Sequence, residues 1–173
     1  LPTRDPYQAL VRSIAYQQLH ARAAEAILRR FLALYPGQAF PSPEQLLATA
    51  PEQLRACGFS ASKLATIQGI AQARLDGLVP DHELARRLDE TSLIERLTQL
   101  RGVGRWTVEM LLIYTLEHMD TLPADDFGVR EGYRRLFALP AQPTRKQMLE
   151  LGAPWSPYRT VAAWYLWRVP ATG

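Results

Sequence analysis

The stretch Leu100-Arg101-Gly102-Val103-Gly104-Arg105-Trp106-Thr107 decides how this chain is read. Two glycines flank one apolar residue, with an amphipathic run before them and an apolar helical run after. That is the layout of a helix–hairpin–helix. Glycine suits so tight a turn because it takes positive φ at little cost, and it lets a ligand approach the backbone. The N–H groups of Gly102, Val103 and Gly104, with those of Arg105 and Thr107 in the first turn of the next helix, are predicted to point outward unpaired. Such a helix start is an anion site, and phosphate is its natural guest.

Outward from the hairpin the pattern is helical throughout. Ser92-x-x-Glu95 reads as a capping box opening a helix over 93–100, and the apolar helix after the hairpin spans 105–116. Upstream, helices are predicted over 6–18, 21–35, 43–49 and 51–57, then from a cap at Ser60 or Ser62 to Leu75, then over 82–88. Gly58 is a predicted C-terminal cap. Downstream, Asp125 or Asp126 opens a helix ending near Phe137, followed by helices over 144–151 and 158–168. No alternating strand pattern occurs. The expected fold is all-α, with about ten short helices in one domain or two closely packed lobes.

The chain has 173 residues, 47% of them hydrophobic, so a core can form. Its net charge of +3 admits a nucleic-acid partner without demanding one. Lys63 and Lys146 are the only lysines, so a mechanism needing a side-chain amine has two candidates. Cys57 is the single cysteine, which excludes a disulfide scaffold, a cysteine-ligated iron–sulfur cluster and a multi-cysteine zinc site within one chain. The three histidines show no metal-ligand spacing. No apolar run approaches a membrane span. The cysteine usage fits a reducing cytosol. Because the chain begins at Leu1 rather than Met, residues upstream of it are expected too.

Several residues could carry chemistry. Asp125-Asp126 follows Trp106 by about twenty residues. An acidic pair before a helix is ordinarily a cap. Here the helix over 105–116 leads roughly 18 Å from the hairpin, and the loop over 117–124 can span roughly 26 Å, enough to return Asp126 beside it. A carboxylate near bound phosphates needs a purpose, and stabilising a cationic sugar transition state is one. Trp106, Phe127, Tyr158, Trp164 and Trp167 are aromatic, with Met110 one turn beyond Trp106 and Trp164 and Trp167 on one helical face. Tryptophan is ordinarily core. An electron-rich pocket built from such side chains would stack an extruded, cationic base. Gln17-Gln18-Leu19-His20, at a helix–helix turn, reads either as an exposed polar loop or as a wedge filling the gap left by a flipped nucleotide.

Taken together, these motifs resemble the helix–hairpin–helix superfamily of DNA glycosylases, and within it the 3-methyladenine DNA glycosylase II (alkylbase) branch. The resemblance covers nearly the whole chain, and it implies two closely packed helical lobes with a DNA- and base-binding cleft between them, lobe one over about 20–120 and lobe two from about 1–19 together with 121–173, in a monomeric, cytoplasmic, nucleoid-associated protein of bacterial type. It rests on Gln17 to Ala24, Cys57-Gly58-Phe59-Ser60-x-x-Lys63, Leu100 to Thr107, Leu122-Pro123-Ala124-Asp125-Asp126 and the closing aromatic helix.

The resemblance implies that Asp126 is the essential aspartate. Trp106 lies where lyase-competent relatives keep a nucleophilic lysine, which implies a monofunctional enzyme. Trp167, Met110 and Phe127 match base-pocket positions, and His20, or Leu19 beside it, matches the intercalating residue, with Gln18 adjacent. Gly58, Ser60 and Lys63 join the hairpin amides as phosphate contacts. The carbonyls of Thr98, Leu100 and Val103 match those holding a structural Na+ or K+; no cofactor for catalysis and no iron–sulfur cluster are implied. An N-terminal β-domain of some members, with one pocket aromatic, is expected to be absent, and Gly128 stands where some relatives have a bulkier residue, which together suggest a more open pocket.

The function so implied is excision of alkylated purines such as 3-methyladenine from damaged double-stranded DNA, leaving an abasic site. The alternatives are a non-catalytic lesion-binding module, which would need the hairpin but neither Asp126 nor a pocket, and a bifunctional glycosylase/lyase.

Overall fold

The computed structural model describes residues 5–170, and among them it is helical without strands. Eleven α-helices follow in order: α1 Pro6–Tyr16, α2 Ala21–Ala33, α3 Pro43–Ala48, α4 Pro51–Ala56, α5 Ala61–Leu75, α6 His82–Arg87, α7 Glu90–Leu97, α8 Arg105–Tyr114, α9 Phe127–Leu136, α10 Arg145–Gly152 and α11 Arg159–Leu166. A single 3₁₀ turn, Ala153–Trp155, separates the last two. Among the described residues no helix is long and apolar enough to cross a membrane.

The helix starts are written in short side chains. Asp5 accepts the Tyr7 N–H at 2.9 Å, with Pro6 in the first helical position. Ser42 with Gln45 and Thr144 with Gln147 form capping boxes on α3 and α10. Ser60, not Ser62, caps α5. The expected capping box at Ser92 is not formed. Asp89 is the N-cap of α7, accepting from both the N–H and the hydroxyl of Ser92, so the helix starts and stops three residues earlier than expected. A carboxylate at the cap position outcompetes a serine inside the first turn because it can accept both bonds.

Contacts divide the described residues into two units, one up to Leu111 and one from Leu112, the division falling inside α8. This differs from the expected lobes. α1 packs against α5 and α2, so it counts with the first unit and not with residues 121–173. The cause is its buried face, Tyr7, Leu10, Val11, Ile14 and Ala15.

The first unit is centred on Phe31, fully buried, with Tyr35, Phe40 and Phe59 edge-on around it at centroid distances of 5.5–5.8 Å. The second is built on Leu122, Ala124, Val129, Tyr133, Met148, Ala163 and Leu166, with Leu139, Trp155 and Trp167 packed against them. Val129, Gly132 and Tyr133 are the buried stripe of α9. Gly132 permits close contact with α11, since a Cβ there would stand 2.0 Å from the Leu166 carbonyl oxygen.

Candidate DNA-binding hairpin and candidate catalytic carboxylate

In the first unit the hairpin joins α7 to α8. Its two glycines have different tasks. Gly102 has φ +81°, and a Cβ there would meet the Thr66 hydroxyl at 2.6 Å, so both conformation and space call for glycine. Gly104 has no positive φ and nothing within 4 Å of the place a Cβ would occupy. Its carbonyl accepts the first bond of α8, from the Val108 N–H at 3.3 Å. The protein itself therefore leaves room at Gly104 for an approaching ligand.

One of the expected phosphate contacts of the hairpin is corrected. The Val103 N–H does not point outward: it donates to the Leu100 carbonyl at 3.0 Å, and the Val103 side chain is buried. Closing the turn uses that amide. The Thr107 side chain is buried too, so only its backbone N–H, in the first turn of α8, can serve an anion. Arg105 is exposed, but its Nε donates to the buried Glu109 carboxylate at 2.9 Å. That bond engages Nε within α8.

The turn between α1 and α2 is also in this unit. Gln18 adopts φ +57°, and Gln18, Leu19 and His20 are all exposed. His20 is the N-cap of α2, without a side-chain cap bond. Ser13, Tyr16, Gln17, Gln18 and Trp106 line a cavity of about 340 Å³. Sequence reading did not find Ser13 and Tyr16, which share the last turns of α1 with Gln17.

The start of α5 holds the remaining three candidates. Gly58 has φ +107° beside Ile27 and Arg30, and its N–H donates to the Arg55 carbonyl at 2.9 Å, closing the end of α4 instead of facing a phosphate; the Ser60 hydroxyl accepts the Lys63 N–H. The Lys63 ammonium turns inward, donating to the carbonyls of Ala15 at 3.0 Å and Gln17 at 2.6 Å.

The second unit carries both aspartates, and the structure decides which of them caps α9. Asp125 is exposed and pairs with Arg130 at 3.7 Å. Asp126 is the N-cap of α9: its Oδ1 accepts the Val129 N–H at 2.9 Å and the Trp167 indole N–H at 2.7 Å. Capping and positioning thus use one carboxylate, whose plane is set by two donors 3 and 41 residues away. The loop before it is fastened to α11. The buried Thr160 hydroxyl accepts the Thr121 N–H at 3.0 Å and donates to the His118 carbonyl at 2.7 Å. Arg159 clamps Asp120 through Nε and Nη2 at 2.7 and 2.9 Å.

The indole that holds this carboxylate has an aromatic neighbour in the second unit. Tyr114 stacks on Trp167, with centroids 6.1 Å apart and planes 18° from parallel. Desolvation raises the pKa of the Tyr114 hydroxyl above its ordinary 10.0, a rise that Arg168 opposes and Asp126 reinforces. Phe127, the residue after Asp126, is 71% exposed, and Trp164 is exposed as well. Tyr114 was missed in the sequence, although it continues the Trp106–Met110 series at four-residue intervals along α8. The space at Gly128 is not open, as the resemblance suggested: a Cβ there would lie 2.7 Å from Trp167 Cδ1 and 3.1 Å from Asp126 Oδ1. The indole fills the room the glycine leaves.

A glycine-bounded helical hairpin, followed in sequence by a carboxylate that an aromatic ring holds, defines a class. The chain belongs to the HhH-GPD superfamily of base excision DNA repair proteins, whose model matches residues 11–157. Among relatives, it is 49% identical over 165 residues to DNA-3-methyladenine glycosylase 1 of Schizosaccharomyces pombe, covering 95% of this chain and 72% of that one. Among solved structures, it is similar to the Schizosaccharomyces pombe 3-methyladenine DNA glycosylase in complex with abasic DNA, with a TM-score of 0.85, 49% identity and coverage of 95% and 80% of the two chains. It is also similar to the DNA-3-methyladenine glycosidase of Bacillus halodurans, with a TM-score of 0.87, 37% identity and coverage of 97% and 77%.

Proposed function

We propose that this chain is a monofunctional DNA glycosylase. It flips alkylated purines such as 3-methyladenine out of double-stranded DNA and hydrolyses the N-glycosidic bond, leaving an abasic site. The observation that carries the reading is Asp126, held through Oδ1 by its own helix and by the Trp167 indole.

An alkylated purine carries positive charge and leaves as a neutral base, so little general-acid help is required. What needs stabilising is the sugar, which becomes an oxocarbenium ion as the bond breaks. A carboxylate already oriented by two N–H donors offsets that charge without reorganising. Water then adds to the sugar carbon and releases its proton. Trp106 and Met110 in the first unit and Phe127, Trp164 and Trp167 in the second offer faces on which a cationic base can stack.

The hairpin amides of Gly102, Gly104, Arg105 and Thr107, with Ser60 at the start of α5, hold the phosphate backbone. Gln18, Leu19 and His20 enter the gap in the duplex. The carbonyls of Thr98, Leu100 and Val103 suit a monovalent cation, since a carbonyl that accepts one N–H, as Leu100 does, keeps a second lone pair. Catalysis itself calls for no cofactor. The protein acts as a monomer on DNA in the cytoplasm.

Asp126→Asn keeps the size of the side chain and an oxygen for the Val129 cap. It is expected to abolish release of free 3-methyladenine from methylated DNA, measured by chromatography, while DNA binding stays within about threefold. Full base release by this variant would overturn the assignment.

A further inference from the structure

Lys63 is one of only two lysines, and it lies at the start of a helix in a basic, DNA-directed fold. An exposed phosphate contact is its expected use. The geometry gives it another. A helix ends with carbonyls that have no intrahelical partner. At the end of α1, Ser13 and Ile14 share the Gln17 N–H, and Tyr16 accepts from Leu19. The carbonyls of Ala15 and Gln17 are met by the Lys63 ammonium, from a helix 46–48 residues away. A cation at a helix C-terminus is also favoured by the helix dipole.

Gln18, the next residue, holds φ +57°, which a side chain with a Cβ adopts only under constraint. Two further contacts tie the same turn to the hairpin. Gln17 Nε2 donates to the Gly102 carbonyl at 3.2 Å, and Thr66, one turn after Lys63 on α5, fills the space beside Gly102.

We propose that Lys63 is a positioning residue rather than a phosphate ligand. It clamps the end of α1 so that the Gln18–His20 turn is preset to enter the duplex, in register with the hairpin that grips the backbone. Desolvation lowers its pKa, as expected for an ammonium turned into the protein. The proposal rests on the reading of that turn as the wedge.

The test uses the full chain and its Lys63→Met and Lys63→Arg variants on duplexes carrying an alkylated purine or an abasic site beside 2-aminopurine. A lost phosphate contact lowers the slope of log K against log salt by about 0.9. A lost clamp leaves that slope unchanged. It weakens the 2-aminopurine signal of unstacking and slows single-turnover base release about tenfold to a hundredfold, with Kd moving far less. Lys63→Arg, which can still donate to two carbonyls, is expected to recover much of the unstacking signal.

Gln17→Ala, which leaves Lys63 in place, is expected to weaken the same signal by loosening the turn from the hairpin. It keeps the proposal testable if Lys63→Met folds poorly by thermal melting. A drop of about 0.9 in the slope with unstacking intact in Lys63→Met, or normal unstacking in Gln17→Ala where Lys63→Met is unstable, would overturn the proposal. Failure of the glycosylase reading is separate, because the unaltered protein would then release no base.

Discussion

At the scale of single residues, the arrangement turns on a side chain that is not there. Gly128 leaves the space in which the Trp167 indole lies and from which it reaches Asp126. Adding one methyl group must push the ring away, because 2.7 Å is far inside carbon–carbon contact. Gly128→Ala is expected to slow single-turnover base release about tenfold to a hundredfold, the kinetic equivalent of about 1–3 kcal/mol. Trp167→Phe, which keeps a ring but loses the indole N–H, should show a smaller loss in the same assay. An unchanged rate in Gly128→Ala would mean that the bond between Trp167 and Asp126 has no part in the chemistry. The residues themselves were legible in the sequence: Asp126, Trp167 and Gly128 were all singled out. Their relation was not, because a glycine's vacancy has meaning only once its neighbour is known.

Among the elements, the loop over 117–124 and α11 are fastened by one charged clamp. Hydrogen bonds from Arg159, with a further one from Ser156, hold the Asp120 carboxyl down from an ordinary 3.8 to about 2. A carboxylate whose pKa is depressed on folding adds stability above its unfolded value, and that stability is lost as pH falls through the folded value. The second unit is therefore expected to lose stability between about pH 4 and pH 2, read by thermal melting followed through tryptophan fluorescence. Asp120→Asn should flatten this dependence while leaving melting near neutral pH lower and less sensitive to acid. A variant that keeps the full acid dependence would point to other carboxylates, Glu131 first, since Arg134, Gln142 and Arg135 hold its pKa at about 2 as well. Helix existence was legible at this scale, and helix ends less so. α7 shows why: Asp89, Ser92 and Glu95 are all capping residue types, and only the backbone trace decides which one caps.

For the molecule as a whole, the scarcity of lysine narrows which covalent chemistry is open. Lys63 donates to carbonyls at the end of α1, and Lys146 sits in the first turn of α10. Position 106 is tryptophan, and tryptophan cannot form a Schiff base. Borohydride added during turnover is expected to trap no protein–DNA adduct, as judged by denaturing electrophoresis. An adduct mapped to Lys63 or Lys146 would reverse the monofunctional reading.

The sequence by itself determined what is local. Helical periodicity, short polar caps, a glycine-bounded hairpin and the identity of residue 106 act within a few residues, and each leaves a pattern of fixed spacing. Tertiary structure alone decided the pairings across long stretches: Lys63 with Ala15 and Gln17, Gln17 with Gly102 85 residues on, and Trp167 with Asp126 41 residues before it. It also placed α1 in the first unit and used the Val103 amide to close the turn. These outcomes follow from which buried faces and which orphaned donors and acceptors meet once the chain is compact. No spacing in a single sequence records such a meeting.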